Sequence, residues 1–260
     1  MFDYHMHSTV SFDGHDTPEQ MLAAARTAGL REICFTDHMD HDPLRDSACF
    51  QFTVADYEEA YSHLCAPDLK LRLGMEFGML PQNRDLAAQS ARGREYDFII
   101  GSVHFAEDLD VYYPPYWEGK TVLEAERVYL QTTLDCVQAH EDFDVLGHLT
   151  YLSKARSHPT HAPIILDNHR DLVAEIMKVL IRKGKGMEIN TSGVDRCGAY
   201  LPAAEYLRLF KDLGGKIVTV GSDAHTAGRV GQYCFDACAI VKEIFGYVCT
   251  FEKREPIFHK

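Results

Sequence analysis

Short apolar runs alternate along this chain with longer stretches whose apolar residues recur at helical spacing. The first kind reads as strands buried on both faces and the second as amphipathic helices. Strands are expected at 2–7, 32–36, 69–77, 97–103, 143–148, 186–190 and 216–221. Helices are expected at 17–29, 54–65, 84–94, 122–140, 166–182, 201–213 and 235–245. The first helix opens on Thr17-Pro18-Glu19, with Thr as N-cap and Pro at the first helical position, and Gly29 stops it. Residues 41–51 and 149–163 read as polar loops. Residues 105–119 form a long irregular segment with Tyr112, Tyr113, Tyr116 and Trp117 around two prolines. A short extra strand is expected at 247–251.

Strand and helix alternate without a low-complexity linker or a repeat of fixed period. That pattern predicts parallel strands with helical crossovers, in a single α/β domain over residues 1–260. The strand ends carry the chemistry. His5 and His7 alternate on one strand and so share a face, with Asp13 in the loop that follows. Later runs end in Asp37-His38, Glu76, His104, His148 and Asp223-Ala224-His225. Ligands on so many strands must meet at one point. An open sheet of seven strands is roughly 30 Å wide at about 4.8 Å per strand, too wide for side chains to converge. A closed barrel gathers every carboxyl end around one mouth, so a seven-stranded barrel is expected.

Composition narrows the partners. The balance of 26 Lys+Arg against 39 Asp+Glu gives −13, so the surface should repel polyanions, and nucleic acid is not expected as a partner. The eight cysteines (Cys34, Cys49, Cys65, Cys136, Cys197, Cys234, Cys238, Cys249) form no CxxC pair and read as reduced thiols. Met1-Phe2-Asp3 offers no basic or apolar leader, and no apolar run spans a bilayer, so no membrane partner is expected and the cytoplasm is the expected compartment. Nothing in the pattern specifies an oligomer.

Imidazole and carboxylate without thiolate suit zinc, manganese or iron. Nine candidate ligands (His5, His7, Asp13, His38, Glu76, His104, His148, Asp223, His225) exceed what one ion takes, so two to three divalent ions are expected. His63, His140, His169 and His259 fall on helices or the tail and are not expected to ligate. His15 and His41 lie in loops beside the mouth. Asp37 alternates away from His38 and reads as structural, whereas Asp3 points with His5 and could accept from an imidazole.

His5-Met6-His7 with Asp13, Thr36-Asp37-His38, Glu76, His104, His148 and Ser222-Asp223-Ala224-His225 together resemble the ordered motifs of the polymerase and histidinol phosphatase (PHP) family. The resemblance implies a distorted (β/α)7 barrel with a three-metal site at the C-terminal ends of the strands. It implies one ion on His5, His7, Glu76 and Asp223, a second on Glu76, His104 and His148, and a third on Asp13, His38 and His225. The length and the tracts at 151–156 and 188–193 resemble the stand-alone histidinol-phosphate phosphatases. These hydrolyse L-histidinol phosphate to L-histidinol and phosphate in histidine biosynthesis.

The implied chemistry is attack by a metal-bridging hydroxide, with Glu76, Asp223 and His225 as catalytic residues and proton delivery to the leaving alkoxide by Asp223, His225 or a water they hold. Lys154, Arg156 and Arg196 follow strands five and six and are expected to clamp the phosphate. The segment 107–113, acidic and aromatic, suits a cationic imidazole substrate. The alternatives are a PHP phosphoesterase acting on a nucleotide or sugar phosphate, an amidohydrolase with a carbamylated lysine on strand four, and a metal-binding module without turnover.

Overall fold

A computed structural model of the chain describes residues 1–42 and 50–260. Cys49 and the middle of the 41–51 loop therefore lie outside the described residues. Seven parallel strands follow one another in chain order: β1 (Phe2–Asp3), β2 (Glu32–Phe35), β3 (Lys70–Gly78), β4 (Phe98–Ser102), β5 (Val145–Leu146), β6 (Gly186–Asn190) and β7 (Val218–Gly221). A helix follows each: α1 (Pro18–Thr27), α2 (Val54–Tyr61), α3 (Arg84–Arg92), α4 (Val122–Ala139), α5 (Arg170–Arg182), α6 (Ala204–Asp212) and α7 (Cys234–Phe245). Every residue of β4 and β6 is buried, as parallel strands covered by helices require.

The ring closes unevenly. The expected strand 2–7 pairs regularly with β2 only over Phe2–Asp3. Beyond that its backbone divides between two neighbours: Thr36 N donates to Met6 O, while Tyr4 N donates to Val220 O and His7 N to Ala224 O. Asp223 N then donates back to His5 O at 2.7 Å. A chain that serves both neighbours cannot keep a straight ladder with either, and the barrel is distorted there. The His38–Met39 segment resumes pairing three residues after Phe35 and in the same register, with His38 opposite Glu76 on β3.

The helix signals hold in detail. Thr17 and Thr121 each form a capping box, with Gln20 and Glu124 respectively. The helix expected from residue 166 instead begins as a 3-10 turn, Leu166–Asn168, and α5 starts only at Arg170. His169 sits between them at a non-helical φ of −137°, its ring held 2.8 Å from Glu126 on α4.

Two segments are more ordered than the sequence suggests. Residues 105–119 contain a hairpin, Phe105–Ala106 against Leu109–Asp110, and a helical turn, Pro114–Trp117. The expected strand at 247–251 becomes β8 (Val248–Glu252), paired with β9 (Glu255–His259). Lys253 and Arg254, both at positive φ, make the two-residue turn. This hairpin lies against the amino-terminal ends of the strands: Tyr4 Oη donates to Phe251 O, the Phe98 and Phe251 rings are 4.9 Å apart, and Arg254 pairs with Asp144. The other end of the barrel remains for chemistry. Among the described residues no helix is long and apolar enough to cross a membrane.

Candidate metal centre

At the carboxyl ends of the strands the nine nominated residues meet. Glu76, the seventh residue of β3 and fully buried, lies at their middle. Its Oε2 is 3.2 Å from His5 Nε2, 3.5 Å from His7 Nε2 and 3.0 Å from His38 Nδ1. Its Oε1 is 2.9 Å from His148 Nε2 and 3.5 Å from His104 Nε2. Asp223 Oδ1 is 3.5 Å from His7 Nε2, 3.7 Å from His5 Nε2 and 3.6 Å from His225 Nδ1. Asp13 Oδ2 stands toward the rim, 3.5 Å from His38 Nε2 and 3.2 Å from His225 Nε2.

Many of these atoms lack hydrogen-bond partners. His5 Nε2, His7 Nε2, His38 Nδ1, Asp13 Oδ1 and Glu76 Oε2 are all buried and unpaired. His38 Nδ1 and Glu76 Oε2 are close but not aligned for a hydrogen bond. A buried unpaired polar atom costs about 1–3 kcal/mol, so several converging on one region mark a place built for cations. Donor atoms of His5–Glu76–His148, of His5–His7–Asp223, of His7–His38–His225 and of His38–Asp40–His104 lie within 4.8 Å of one another in each group. Oxygen and imidazole donors in this number fit divalent zinc, manganese or iron.

Electrostatics keep Glu76 and His7 in ligating forms, whereas at His5, His38 and His104 the neighbouring carboxylates, against the effect of burial, raise the imidazole above its ordinary value. Burial alone would raise Glu76, but the imidazoles of His5, His38 and His104 hold it well below the usual carboxylate range. Burial, reinforced by the neighbouring His38 and His225 rings, pushes His7 well below its ordinary value and keeps it neutral.

Four of the six imidazoles have their second ring nitrogen taken up elsewhere, which fixes their orientation, while His148 Nδ1 is buried without a hydrogen-bond partner. His5 Nδ1 lies 2.7 Å from Glu188 Oε1, His104 Nδ1 2.7 Å from Asp40 Oδ2, His7 Nδ1 3.2 Å from Ser11 Oγ and His225 Nδ1 2.9 Å from Asp223 O. Sequence reasoning assigned no role to Glu188 or Asp40. A charge inside the apolar run of β6, and a second carboxylate two residues beyond His38, were the available signals.

Asp3 does not accept from an imidazole, contrary to expectation. Its carboxylate accepts from Ser222 N and Gly231 N, both at 2.8 Å, and from the Ser222 hydroxyl, and reaches His5 only at its backbone N–H. Asp37 is structural as expected, accepting from Ser8 N, Ser11 Oγ and Tyr61 Oη.

The three expected phosphate contacts separate. The Lys154 ammonium turns inward, ion-paired with Asp223 and 2.7 Å from Ser192 Oγ. Arg196 is exposed at the rim, donating to Tyr112 Oη at 3.0 Å, and Arg156 is exposed. Tyr151 lines the mouth, its ring 4.7 Å from His148 and 5.3 Å from His104, with Tyr112 beyond it. Asp110 is half-buried next to the strand that carries His104, and burial raises its carboxyl. The ring of His15 is exposed, and His41 bonds Gln51. His63, His140, His169 and His259 bond Glu19, Leu80 O, Glu126 and Thr250, away from the cluster.

Fold and cluster together define a (β/α)7 barrel whose His, Asp and Glu side chains at the carboxyl ends of its strands suit divalent cations. The chain belongs to the PHP domain family, whose model matches residues 3–192. It is 33% identical over 255 residues to a histidinol-phosphatase of Lactococcus lactis subsp. lactis, covering 96% of this chain and 93% of that protein. It is 28% identical to a probable histidinol-phosphatase of Clostridium acetobutylicum, covering 98% of each. The crystal structure of histidinol phosphate phosphatase from Lactococcus lactis, complexed with zinc, L-histidinol and phosphate, superposes with a TM-score of 0.88 at 31% identity over 98% of both chains. A putative histidinol phosphatase from Listeria monocytogenes shares the fold, with a TM-score of 0.72 at 16% identity.

The amidohydrolase alternative loses its basis in this geometry. The fourth strand delivers His104 to the cluster and not a lysine, and Lys154 arrives after β5.

Proposed function

We propose that this chain is a metal-dependent phosphomonoesterase that hydrolyses L-histidinol phosphate to L-histidinol and phosphate, as a step of histidine biosynthesis. The observation that carries the reading is the Glu76-centred cluster, in a chain 33% identical to a histidinol-phosphatase over 96% of its length.

His5, His7, Glu76 and Asp223 would hold one ion, Glu76, His104 and His148 a second, and Asp13, His38 and His225 a third. Zinc, manganese or iron bound there would lower the pKa of a coordinated water toward neutrality and neutralise phosphoryl charge. The chain's own groups supply position. Glu76 directs one oxygen toward each of two imidazole sets. Asp223, held well below the usual carboxylate range against its burial by Lys154 and His5, stays an acceptor. His225, 28% exposed in its side chain, stands on the solvent side of the cluster, where a proton can pass to a leaving alkoxide. Arg156 and Arg196 at the rim, with Lys154 deeper, would bind phosphate oxygens. Tyr112, Tyr151 and Asp110 offer the aromatic and anionic wall that an imidazole with an ammonium group requires. Seven of the cysteines are free thiols, which agrees with a reducing cytoplasm.

The test is phosphate release by metal-loaded protein from histidinol phosphate, a nucleoside monophosphate, a sugar phosphate and an aryl phosphate. A kcat/KM at least about tenfold higher for histidinol phosphate is expected, since a site built for a polar group discriminates strongly against substrates lacking it. Equal rates on all four would favour a PHP phosphoesterase of another small phosphate. No release with any metal would leave a binding module without turnover.

A further inference from the structure

Glu188, on β6, contacts the outer ring nitrogen of one cluster histidine and the backbone of another, and not their inward-facing nitrogens. It is 1% exposed. Its Oε1 lies 2.7 Å from His5 Nδ1. Its Oε2 accepts from the backbone N–H of His148 at 2.8 Å and from Asn190 Nδ2 at 3.2 Å. A single side chain on β6 therefore ties the His5 ring to the backbone that carries His148. Those two histidines approach opposite oxygens of Glu76.

The space for this contact is provided by a glycine. A Cβ on Gly221 would lie 2.3 Å from Glu188 Oε1 and 2.3 Å from His5 Cβ. The β7 backbone thus comes close enough to press Glu188 and His5 together only because no side chain intervenes.

We infer that Glu188 is the positioning residue of this centre, keeping His5 Nε2 free for a cation and linking that position to the one beside His148, so that the two fill together. The inference rests on the ligand reading given under Proposed function. The chemistry is a matter of donors and acceptors. His5 can offer Nε2 only if its ring proton sits on Nδ1, and that proton needs an acceptor, which Glu188 Oε1 supplies. In Glu188→Gln, the amide oxygen is drawn to the side where His148 N–H and Asn190 Nδ2 both donate. The amide NH2 then faces His5 Nδ1, and the His5 proton moves to Nε2, where it blocks ligation. The variant is isosteric, so its shape is preserved while the tautomer is reversed.

The experiment is zinc titration of the stripped, full chain against a competing chelating indicator, with zinc content by elemental analysis. E188Q is expected to lose about 10- to 100-fold in affinity for the ions served by His5 and His148. The ion on Asp13, His38 and His225 should be retained, and kcat should recover as free zinc is raised. Zinc affinity and content equal to wild type, or a loss that spares the ions served by His5 and His148, would overturn the inference. Should E188Q not fold, the wild type decides. In the zinc-loaded chain, the 15N imidazole spectrum is expected to show the His5 proton on Nδ1, identified by its disappearance in His5→Asn, and a bare Nδ1 would overturn the inference. A wild-type chain that binds no zinc, manganese or iron would instead refute the ligand reading itself.

Discussion

His148 Nε2 lies 2.9 Å from Glu76 Oε1, although 72 residues separate the two along the chain. The other oxygen of the same carboxylate stands 3.2 Å from His5 Nε2. Glu76 is therefore the group that joins the imidazoles of His5 and His148 through the two oxygens of one carboxylate.

Glu76→Gln removes the charge and one acceptor while conserving volume. We expect it to lower bound metal per chain and to reduce phosphate release by roughly 100-fold or more, beyond the 10- to 100-fold seen when an outer partner is lost. Elemental analysis and a steady-state assay check both. Wild-type metal content with wild-type turnover would remove Glu76 from the centre.

Stripping the ions should abolish activity and lower the melting temperature. Ligands that bind only the folded state stabilise by about 2.7 kcal/mol at a hundredfold excess over Kd. Readdition of zinc, manganese or iron should restore both properties, and a stripped chain that melts unchanged would argue against binding at the buried cluster.

The three cations at the mouth should behave differently. Arg156→Ala and Arg196→Ala are expected to raise KM several-fold, with kcat near wild type and weaker inhibition by free phosphate. Lys154→Met should also reduce kcat, because its ammonium is the partner of Asp223. Three indistinguishable kinetic profiles would contradict this division.

Asp3 closes the ring between β1 and the loop after β7. Asp3→Ala leaves the buried Ser222 N–H without its acceptor, and that of Gly231 as well. A loss of about 3 kcal/mol is expected in denaturant unfolding. A loss below about 1 kcal/mol would mean that water replaces the carboxylate there.

His140 supplies a pH dependence away from the metal centre. Burial pushes it below its ordinary value of 6.5, against the pull of its bond to Leu80 O and with Lys183 nearby. The folded state thus binds this proton less readily than the unfolded chain. The stability it contributes is complete above 6.5 and is lost as pH falls from there toward the lower folded value. In metal-loaded protein, His140→Gln should show a shallower stability loss between about pH 7 and 5 than wild type. Equal slopes would assign the acid sensitivity to other groups.

Alternation of apolar runs with helical stretches, and the placing of His, Asp and Glu at run ends, were enough to derive the barrel, its seven strands and all nine members of the cluster. Both signals are local: side-chain period reports which face is buried, and a strand's last residues lie at the mouth whatever its neighbours are. The same logic failed for Asp3, which points with His5 along its strand yet bonds Ser222. It also missed β9 and the hairpin at 105–110, whose pairing depends on turn geometry more than on apolar period.

What the sequence by itself determined is the order of strands and the inventory of imidazoles and carboxylates gathered at the mouth. Only the tertiary structure decided which carboxylate serves which imidazole: Glu188 with His5 across 183 residues, Asp40 with His104, and Lys154 turned in toward Asp223 and away from the rim. The physical reason is that such contacts are set by the close approach of backbones around the closed ring, as at Gly221. That approach depends on register and twist summed over every strand, which no single stretch of residues encodes.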